Sequence, residues 1–335
     1  MKVAKHGILV IGSNSYTGAT FTAHALSQGY EVVGVSRSEE LDPVFLPYRW
    51  GPADSLKRFS FLRMDLNEKA EEIAHLARER NLSFIANFAA QSMVAESWLT
   101  PVHWYQTNVV ANVRLHEELR KWDGLKKYLH VTTPEVYGSC SGVVKEDAPF
   151  NPSTPYAASR AACDLHLMTF FKRYNFPVVF TRAANVYGPG QQLYRIVPRA
   201  ALFSRIGKKL PLHGGGHSTR AFIHGDDVAA ASMAILKEGT PGEVYHLSTD
   251  RFISIRDLVA MVAQKTGTTF EKLAEVTEDR PGKDAAYLLD SSKAEKQFFW
   301  SPKIGLEEGV ESVIRWIDGN LSTLRGLPDH YIHKP

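Results

Sequence analysis

The sequence predicts an α/β fold: a Rossmann-type doubly wound parallel sheet with a smaller α/β lobe. Three observations carry this reading. First, a short apolar run (Ile8–Ile11), a glycine-bearing turn (Gly12-Ser13-Asn14-Ser15-Tyr16-Thr17-Gly18), a helical stretch from about Ala19 to Ser27 and a second apolar run (Glu31–Val35) follow one another within about thirty residues. Second, further strand-like runs recur at Phe59–Met64, Phe84–Phe88, Tyr128–Thr132, Val178–Arg182 and Glu243–Leu247, with helical stretches between them. Third, 335 residues at 44% hydrophobic and 22% charged suffice for one large or two moderate cores of a globular protein.

Composition also narrows the function. A net charge of +3 is too small to imply nucleic-acid binding, yet it leaves room for a locally basic, phosphate-binding pocket. Two cysteines, Cys140 and Cys163, are too few for a disulfide framework and suit a reducing compartment. The first apolar run is too short for a secretory leader or a membrane span, so the expected location is the cytoplasm.

Taken in order, the first turn is the earliest chemical signal. Gly12 and Gly18 would let backbone amides at a helix N-terminus approach a pyrophosphate without a Cβ in the way. The second strand ends in Ser36-Arg37-Ser38, where an NAD site usually offers a carboxylate to the ribose 2′-hydroxyl. A cation there suits the 2′-phosphate, so the expected cofactor is NADP in preference to NAD. Pro43 to Pro52 is a loop expected to fold over the cofactor edge, and a charged amphipathic helix is expected from Glu68 to Arg80. After the fourth strand, Ala89-Ala90-Gln91-Ser92 is small enough for a nicotinamide to approach the backbone. A long helix should start at Pro101 and run to about Lys121. Past the fifth strand, Thr133 and Glu135 are two residues apart and would share one side of an extended segment. The next helix, Tyr156–Tyr174, puts Tyr156 and Arg160 on one face, where a guanidinium would favour a phenolate able to act as a base near neutral pH.

Tyr156-Ala157-Ala158-Ser159-Arg160, preceded by Thr133 at a strand end, resembles the Tyr-x-x-x-Lys signature of extended short-chain dehydrogenases/reductases. With the glycine turn, the Ala89–Val94 run, Asn185-Val186-Tyr187-Gly188-Pro189 and Asp279-Arg280-Pro281-Gly282, the likeness narrows to the nucleotide-sugar epimerases and dehydratases, including those acting on dTDP-glucose and GDP-mannose. It spans roughly Ile8 to Leu324. Four positions depart from the family pattern: Ser15 for a glycine, Met93 for a histidine, Pro134 for an aspartate and Arg160 for the lysine.

The resemblance assigns cofactor contacts to Gly12, Ser15, Tyr16, Gly18, Asp65, Leu66, Ala89, Asn108, Tyr156 and Arg160, besides Arg37. The Ser15 amide is expected to donate as the glycine's would, and Asn108 to position the active-site strand. Substrate contacts fall to Gln91, Ser92, Asn185, Arg195, Arg220 and Arg280, the last two on the pyrophosphate of a nucleoside-diphosphate sugar. The nucleotide domain would cover residues 1–184 plus about 223–250, and the substrate lobe 185–222 and 251–335. A homodimer built as a four-helix bundle is implied, with no metal and no membrane contact. Leu210–Phe222 reads as a hairpin, Asp227 as a helix cap or first-turn carboxylate, and Leu306–Leu324 as a closing helix.

By the same resemblance, Tyr156 with Thr133 supports oxidation of a sugar hydroxyl, and Glu135 decides the fate of the resulting ketone. A glutamate there implies removal of the C5 proton and loss of water from C6, a 4,6-dehydratase that keeps and recycles its cofactor. The 4-epimerases carry a small or hydroxyl residue at that position. A sugar-acid decarboxylase is a second alternative, and a member that binds nucleotide without turnover a third.

Overall fold

The residues described in the computed structural model are 7–140, 142–278 and 288–335. Seven parallel strands form the main sheet in the order Val244–Leu247, Val178–Ala183, Lys127–Val131, Phe84–Asn87, Ile8–Ile11, Val32–Ser36, Phe59–Arg63. The first strand in the chain, Ile8–Ile11, lies inside the sheet and is buried throughout because helices cover both faces. On one face Phe21, Ala25 and Leu26 of helix Tyr16–Ser27 join Met233 and Ile235 of helix Gly225–Glu238 over Ile8 and Val10. On the other, Ile73, Leu115, Leu119 and Leu167 cover Leu9 and Ile11 from helices Leu66–Glu79, Asn112–Leu119 and Pro155–Tyr174. Each such buried aliphatic side chain contributes on the order of 1.5–3 kcal/mol. The doubly wound sheet is therefore the rigid body on which the loops at its C-terminal edge are hung.

The long helix after Pro101 is not uniform. Pro101–Tyr105 and Asn112–Leu119 are α-helical, but Gln106–Ala111 widens into a π turn. Such bulges re-aim side chains, and this one carries Asn108.

The later residues form a second core. Strand Asn185–Tyr187 pairs in parallel with Thr219–His224, which pairs antiparallel with Phe252–Ser254. Helices Ile196–Ile206, Ile255–Lys265 and Leu306–Gly319 pack around them through Val197, Ala201, Leu258, Val262, Val313 and Ile317. The closing helix breaks at Asn320 and resumes as Leu321–Leu324.

The expected hairpin does not form. Leu210–His213 pairs in parallel with Ala274–Thr277 instead, in a sheet separate from Thr219–His224. The cause lies between the two strands, where Gly214, Gly215 and Gly216 all hold positive φ (55°, 68° and 74°) and turn the chain away. Asp227 is a first-turn carboxylate of helix Gly225–Glu238, as expected, and not its cap. His224 takes that role by accepting the Asp226 amide, while the Asp227 carboxylate accepts the amides of Lys303 and Ile304 at 3.0 and 3.1 Å. Its expected charge thus ties the chain before the closing helix to the sheet domain.

Candidate active site

A cleft of about 740 Å³ lies along the C-terminal ends of strands Ile8–Ile11, Val32–Ser36, Phe84–Asn87 and Lys127–Val131. It opens where strand order reverses direction, beside the first strand, the place where doubly wound sheets bind ligands. Gly12 shapes its floor: φ is +83°, and a Cβ there would stand 2.7 Å from the Ala89 amide nitrogen. A Cβ on Gly18 would meet the Gly12 carbonyl oxygen at 2.3 Å. Tyr16 and Thr17, in the first helical turn, line the cleft where helical amides lack partners along the helix. Ser15 departs from expectation. Its amide donates to the Gly12 carbonyl, and its hydroxyl donates to that oxygen and accepts from the Gly18 amide. Serine here caps the helix, and its amide is already engaged within the turn. Gly12→Ala should weaken nicotinamide-dinucleotide binding by at least about tenfold, since the left-handed backbone alone costs about 1–3 kcal/mol in a non-glycine residue. Calorimetric titration with NAD and NADP checks this.

Arg37 stands at the end of the second strand, where its Nη1 donates to the Lys334 carbonyl oxygen (3.0 Å) and to an oxygen of the last residue's carboxylate, on Pro335 (2.6 Å). Asp65 caps helix Leu66–Glu79 by accepting the Asn67 amide, and both Asp65 and Leu66 border the cleft. Ala89 borders it too, its amide held by the Asn87 side chain. Asn108 does not border it. The π turn sends its buried side chain to the Gln91 backbone (Oδ1 accepting the amide at 2.8 Å, Nδ2 donating to the carbonyl at 3.0 Å) and to Ser159 Oγ. It therefore locks the loop after the fourth strand to the helix bearing Tyr156, and its predicted cofactor contact is replaced by that bracing.

Thr133, Glu135, Tyr156 and Arg160 do meet in the cleft. The strand stops at Val131, and Pro134–Tyr137 is a tight 3₁₀ turn capped by the Thr133 hydroxyl, with proline in its first position. Glu135 thus arrives on a turn, not on the extended segment expected. Tyr156 is 8% exposed, and burial, with Glu135 adding to it, pushes its phenol up to about 12. Arg160, a hydrogen bond with Thr133 and Arg195 pull in the other direction. The expectation of a phenolate near neutral pH is therefore not met in the free protein: one adjacent guanidinium does not offset desolvation.

Arg160 is 2% exposed. Its Nη2 donates to the Val131 carbonyl and lies 3.5 Å from His130 Nε2, while Nε and Nη1 have no acceptor in the structure. Beneath it, Asp164 accepts from Thr132 Oγ1 at 3.0 Å and from Arg182 Nη2 at 2.8 Å, and Arg182 continues to Tyr137, which meets His246 at 2.7 Å. Burial, and then Arg160, drive His130 well below the usual histidine range, so it contributes no charge near neutral pH. Two guanidiniums thus face one carboxylate, and the surplus positive charge lies one helical turn from Tyr156. Sequence reasoning missed this network because its members are scattered from His130 to His246.

Gln91, Ser92, Asn185 and Arg195 border the cleft. Gln91 is already occupied, however: its Nε2 donates to the Lys334 carbonyl at 2.6 Å and its Oε1 accepts from Tyr331. Arg220 lies on strand Thr219–His224, outside the cleft lining, with Nη1 donating to the Thr219 carbonyl. Arg280 falls outside the described residues. Tyr331 and Lys334, which do line the cleft, carried no motif in the sequence.

Residues 9–313 match the family model described as GDP-mannose 4,6 dehydratase. The chain belongs to this family. The human dTDP-D-glucose 4,6-dehydratase is 30% identical over 282 residues, covering 81% of this chain and 78% of its own. The dTDP-glucose 4,6-dehydratase of Streptomyces venezuelae, solved with NAD bound, superposes with a TM-score of 0.86 at 29% identity, covering 94% of this chain and 98% of that one. An epimerase is close in structure too: the UDP-glucuronic acid 4-epimerase of Bacillus cereus, solved with UDP-glucuronic acid and NAD, has a TM-score of 0.83 at 26% identity over 93% of this chain and 99% of its own. The family's Rossmann-type fold and nicotinamide-dinucleotide cofactor agree with the cleft. Glycine shapes its floor against Ala89, and Arg160 points two buried donors that lack acceptors. Among the described residues, no helix is long and apolar enough to cross a membrane.

Proposed function

We propose that this member of the family is a nucleoside-diphosphate-sugar 4,6-dehydratase, resembling the dTDP-glucose enzymes, that uses NADP. The observation carrying it is Glu135 close enough to Tyr156, in one cleft, for its charge to raise the phenol. Bound nicotinamide supplies reversible hydride exchange with the sugar, first at C4 and finally at C6. Tyr156, hydrogen-bonded with Thr133, takes the proton of the C4 hydroxyl as the ketone forms. That ketone acidifies C5–H, and Glu135 removes the C5 proton. Pro134 has no proton to give, so the proton on Glu135 passes, through a water, to the departing C6 hydroxyl, which leaves as water and restores the carboxylate. Arg160, whose charge is left over once Asp164 and Arg182 have paired beneath it, holds positive charge near the phenolate. C5 then regains a proton from solvent through Glu135, Tyr156 releases to solvent the proton it took from the C4 hydroxyl, and the product is a 4-keto-6-deoxy sugar nucleotide.

Arg195, stacked on Tyr194, together with Asn185 and Ser92 would bind the sugar nucleotide. Residues 1–184 plus about 223–250 would form the nucleotide domain, the rest the substrate lobe. The test is incubation with dTDP-glucose, UDP-glucose, UDP-N-acetylglucosamine, GDP-mannose and CDP-glucose, followed by mass spectrometry. One donor should return lighter by one water. An unchanged mass with an inverted C4 centre would make the chain an epimerase instead.

We also infer a cytoplasmic homodimer. Leu99, Val102 and Val110 (79%, 72% and 46% exposed) and Leu165 (57%) stand out from the two long helices and the turn before them, an apolar surface suited to a four-helix bundle. Val102→Glu combined with Leu165→Glu should halve the mass measured by light scattering while leaving the thermal melt of the fold cooperative.

A further inference from the structure

The segment 329–335 crosses the cleft from the lobe to the second strand. Asp329 pairs with Lys208, and Tyr331 packs edge-on against Tyr194. His333 lies flat against Trp104 (5.2 Å, 5°) and meets His103 at 2.8 Å. The Lys334 carbonyl is held by Gln91 and Arg37, and its Nζ donates to Ser38 Oγ at 3.0 Å. An exposed lysine is thereby fixed by its backbone and its neighbour at one place, beside Arg37.

The charges around that place are sorted. Glu39 and Glu40, the carboxylates that would repel an anion there, are taken by Arg63 (3.3 Å) and by Arg49 with the Tyr48 hydroxyl. Neither Arg37 nor Lys334 is paired with an aspartate or glutamate among the described residues. Arg37 spends Nη1 on the Lys334 carbonyl and on the Pro335 carboxylate, the one acidic group it touches, leaving Nε and Nη2 as donors. Ser36 and Ser38 add hydroxyls at the same strand end.

We propose that Lys334 is a cofactor-specificity residue, which with Arg37 and Ser38 grips the 2′-phosphate of NADP. The inference rests on the NADP reading above and goes beyond it, since it assigns the phosphate to two cations from opposite ends of the chain. A dianion beside two such donors gains charge-assisted bonds that a ribose hydroxyl does not. It also makes the segment part of the cofactor site, so that NADP closes the cleft more firmly than NAD.

The experiment is calorimetric titration of the full chain, freed of bound nucleotide, with NADP and NAD. The wild-type protein should bind NADP at least about tenfold more tightly, and Lys334→Ala should lose about tenfold for NADP while staying within about twofold for NAD. Lys334→Arg should retain the preference, and Arg37→Ala should erase it. Equal weakening of both cofactors by Lys334→Ala would overturn the assignment, reducing the segment to a cover. No change in Lys334→Ala while Arg37→Ala still erases the preference would overturn it as well, leaving NADP to Arg37 alone. A wild-type protein that binds NAD as tightly as NADP would overturn the NADP reading itself.

Discussion

Tyr156→Phe should lower turnover of the nucleotide sugar by about 10²–10⁴-fold, the usual worth of a positioned acid–base group, with little change in substrate binding. The pH profile tells more. The base form of Tyr156 is the deprotonated one, and burial holds the phenol at about 12, so turnover should rise as pH increases above neutrality. Arg160 is among the groups that lower it, and Arg160→Met should push this rise to higher pH. Arg160→Lys should leave the rise near its wild-type position, because the charge is kept. A thermal melt of each variant separates this effect from loss of fold, since Arg160 is buried. If the pH profile of Arg160→Met matched that of the wild type, the surplus charge under the helix would have no part in activating the tyrosine.

The departure from lysine is intelligible in these terms. Lysine can carry or release a proton, whereas arginine keeps its charge and offers a planar fork of donors. Here one prong of the fork is fixed to the Val131 carbonyl, and Nε and Nη1 remain without acceptors. Asp164 and Arg182 neutralise each other beneath it, so the Arg160 charge is left facing the cleft. Burying a guanidinium with two of its donors unmade is costly, and Arg160 lines the cleft in which a bound group could accept from them.

How far the sequence revealed this depended on whether the information was local. The strand ends were legible within one residue because a parallel strand buried on both faces is a continuous apolar run. That Thr133, Glu135, Tyr156 and Arg160 meet in one cleft was legible because a strand end and one helical turn hold them together. The π turn was not, since nothing in Gln106–Ala111 forbids an ordinary helix, and Asn108 was assigned to the cofactor in place of the Gln91 loop. Leu210–Phe222 misled for the opposite reason. Two strands around a glycine turn look like a hairpin, and only the pairing partners, Ala274–Thr277 and Asn185–Tyr187, decide otherwise. The segment bearing Lys334 was invisible as part of the site because its contacts, to Arg37 and Gln91, lie more than two hundred residues away in the chain.

Glu135→Gln should separate the half-reactions. Overall dehydration should fall by about 10²–10⁴-fold, because an amide cannot take the C5 proton and Pro134 offers no substitute. Oxidation at C4 needs only Tyr156 and Thr133 from the protein, so mixing the variant with substrate should leave the near-ultraviolet absorbance of reduced nicotinamide standing, where the wild type shows it only in passing. The carboxylate also raises the Tyr156 phenol, so its removal should move the rise of C4 oxidation to lower pH, opposite in sign to the effect of Arg160→Met. In heavy water the wild-type product should carry deuterium at C5, and sugar recovered from the variant should not. Deuterium entering C5 at the wild-type rate would show that another group is the base. An inverted C4 centre formed by the variant at the wild-type rate would mean that Glu135 only stands beside an epimerase site. Because the deuterium readout follows one proton at one carbon, it distinguishes a catalytic carboxylate from one that merely orders the turn after Thr133.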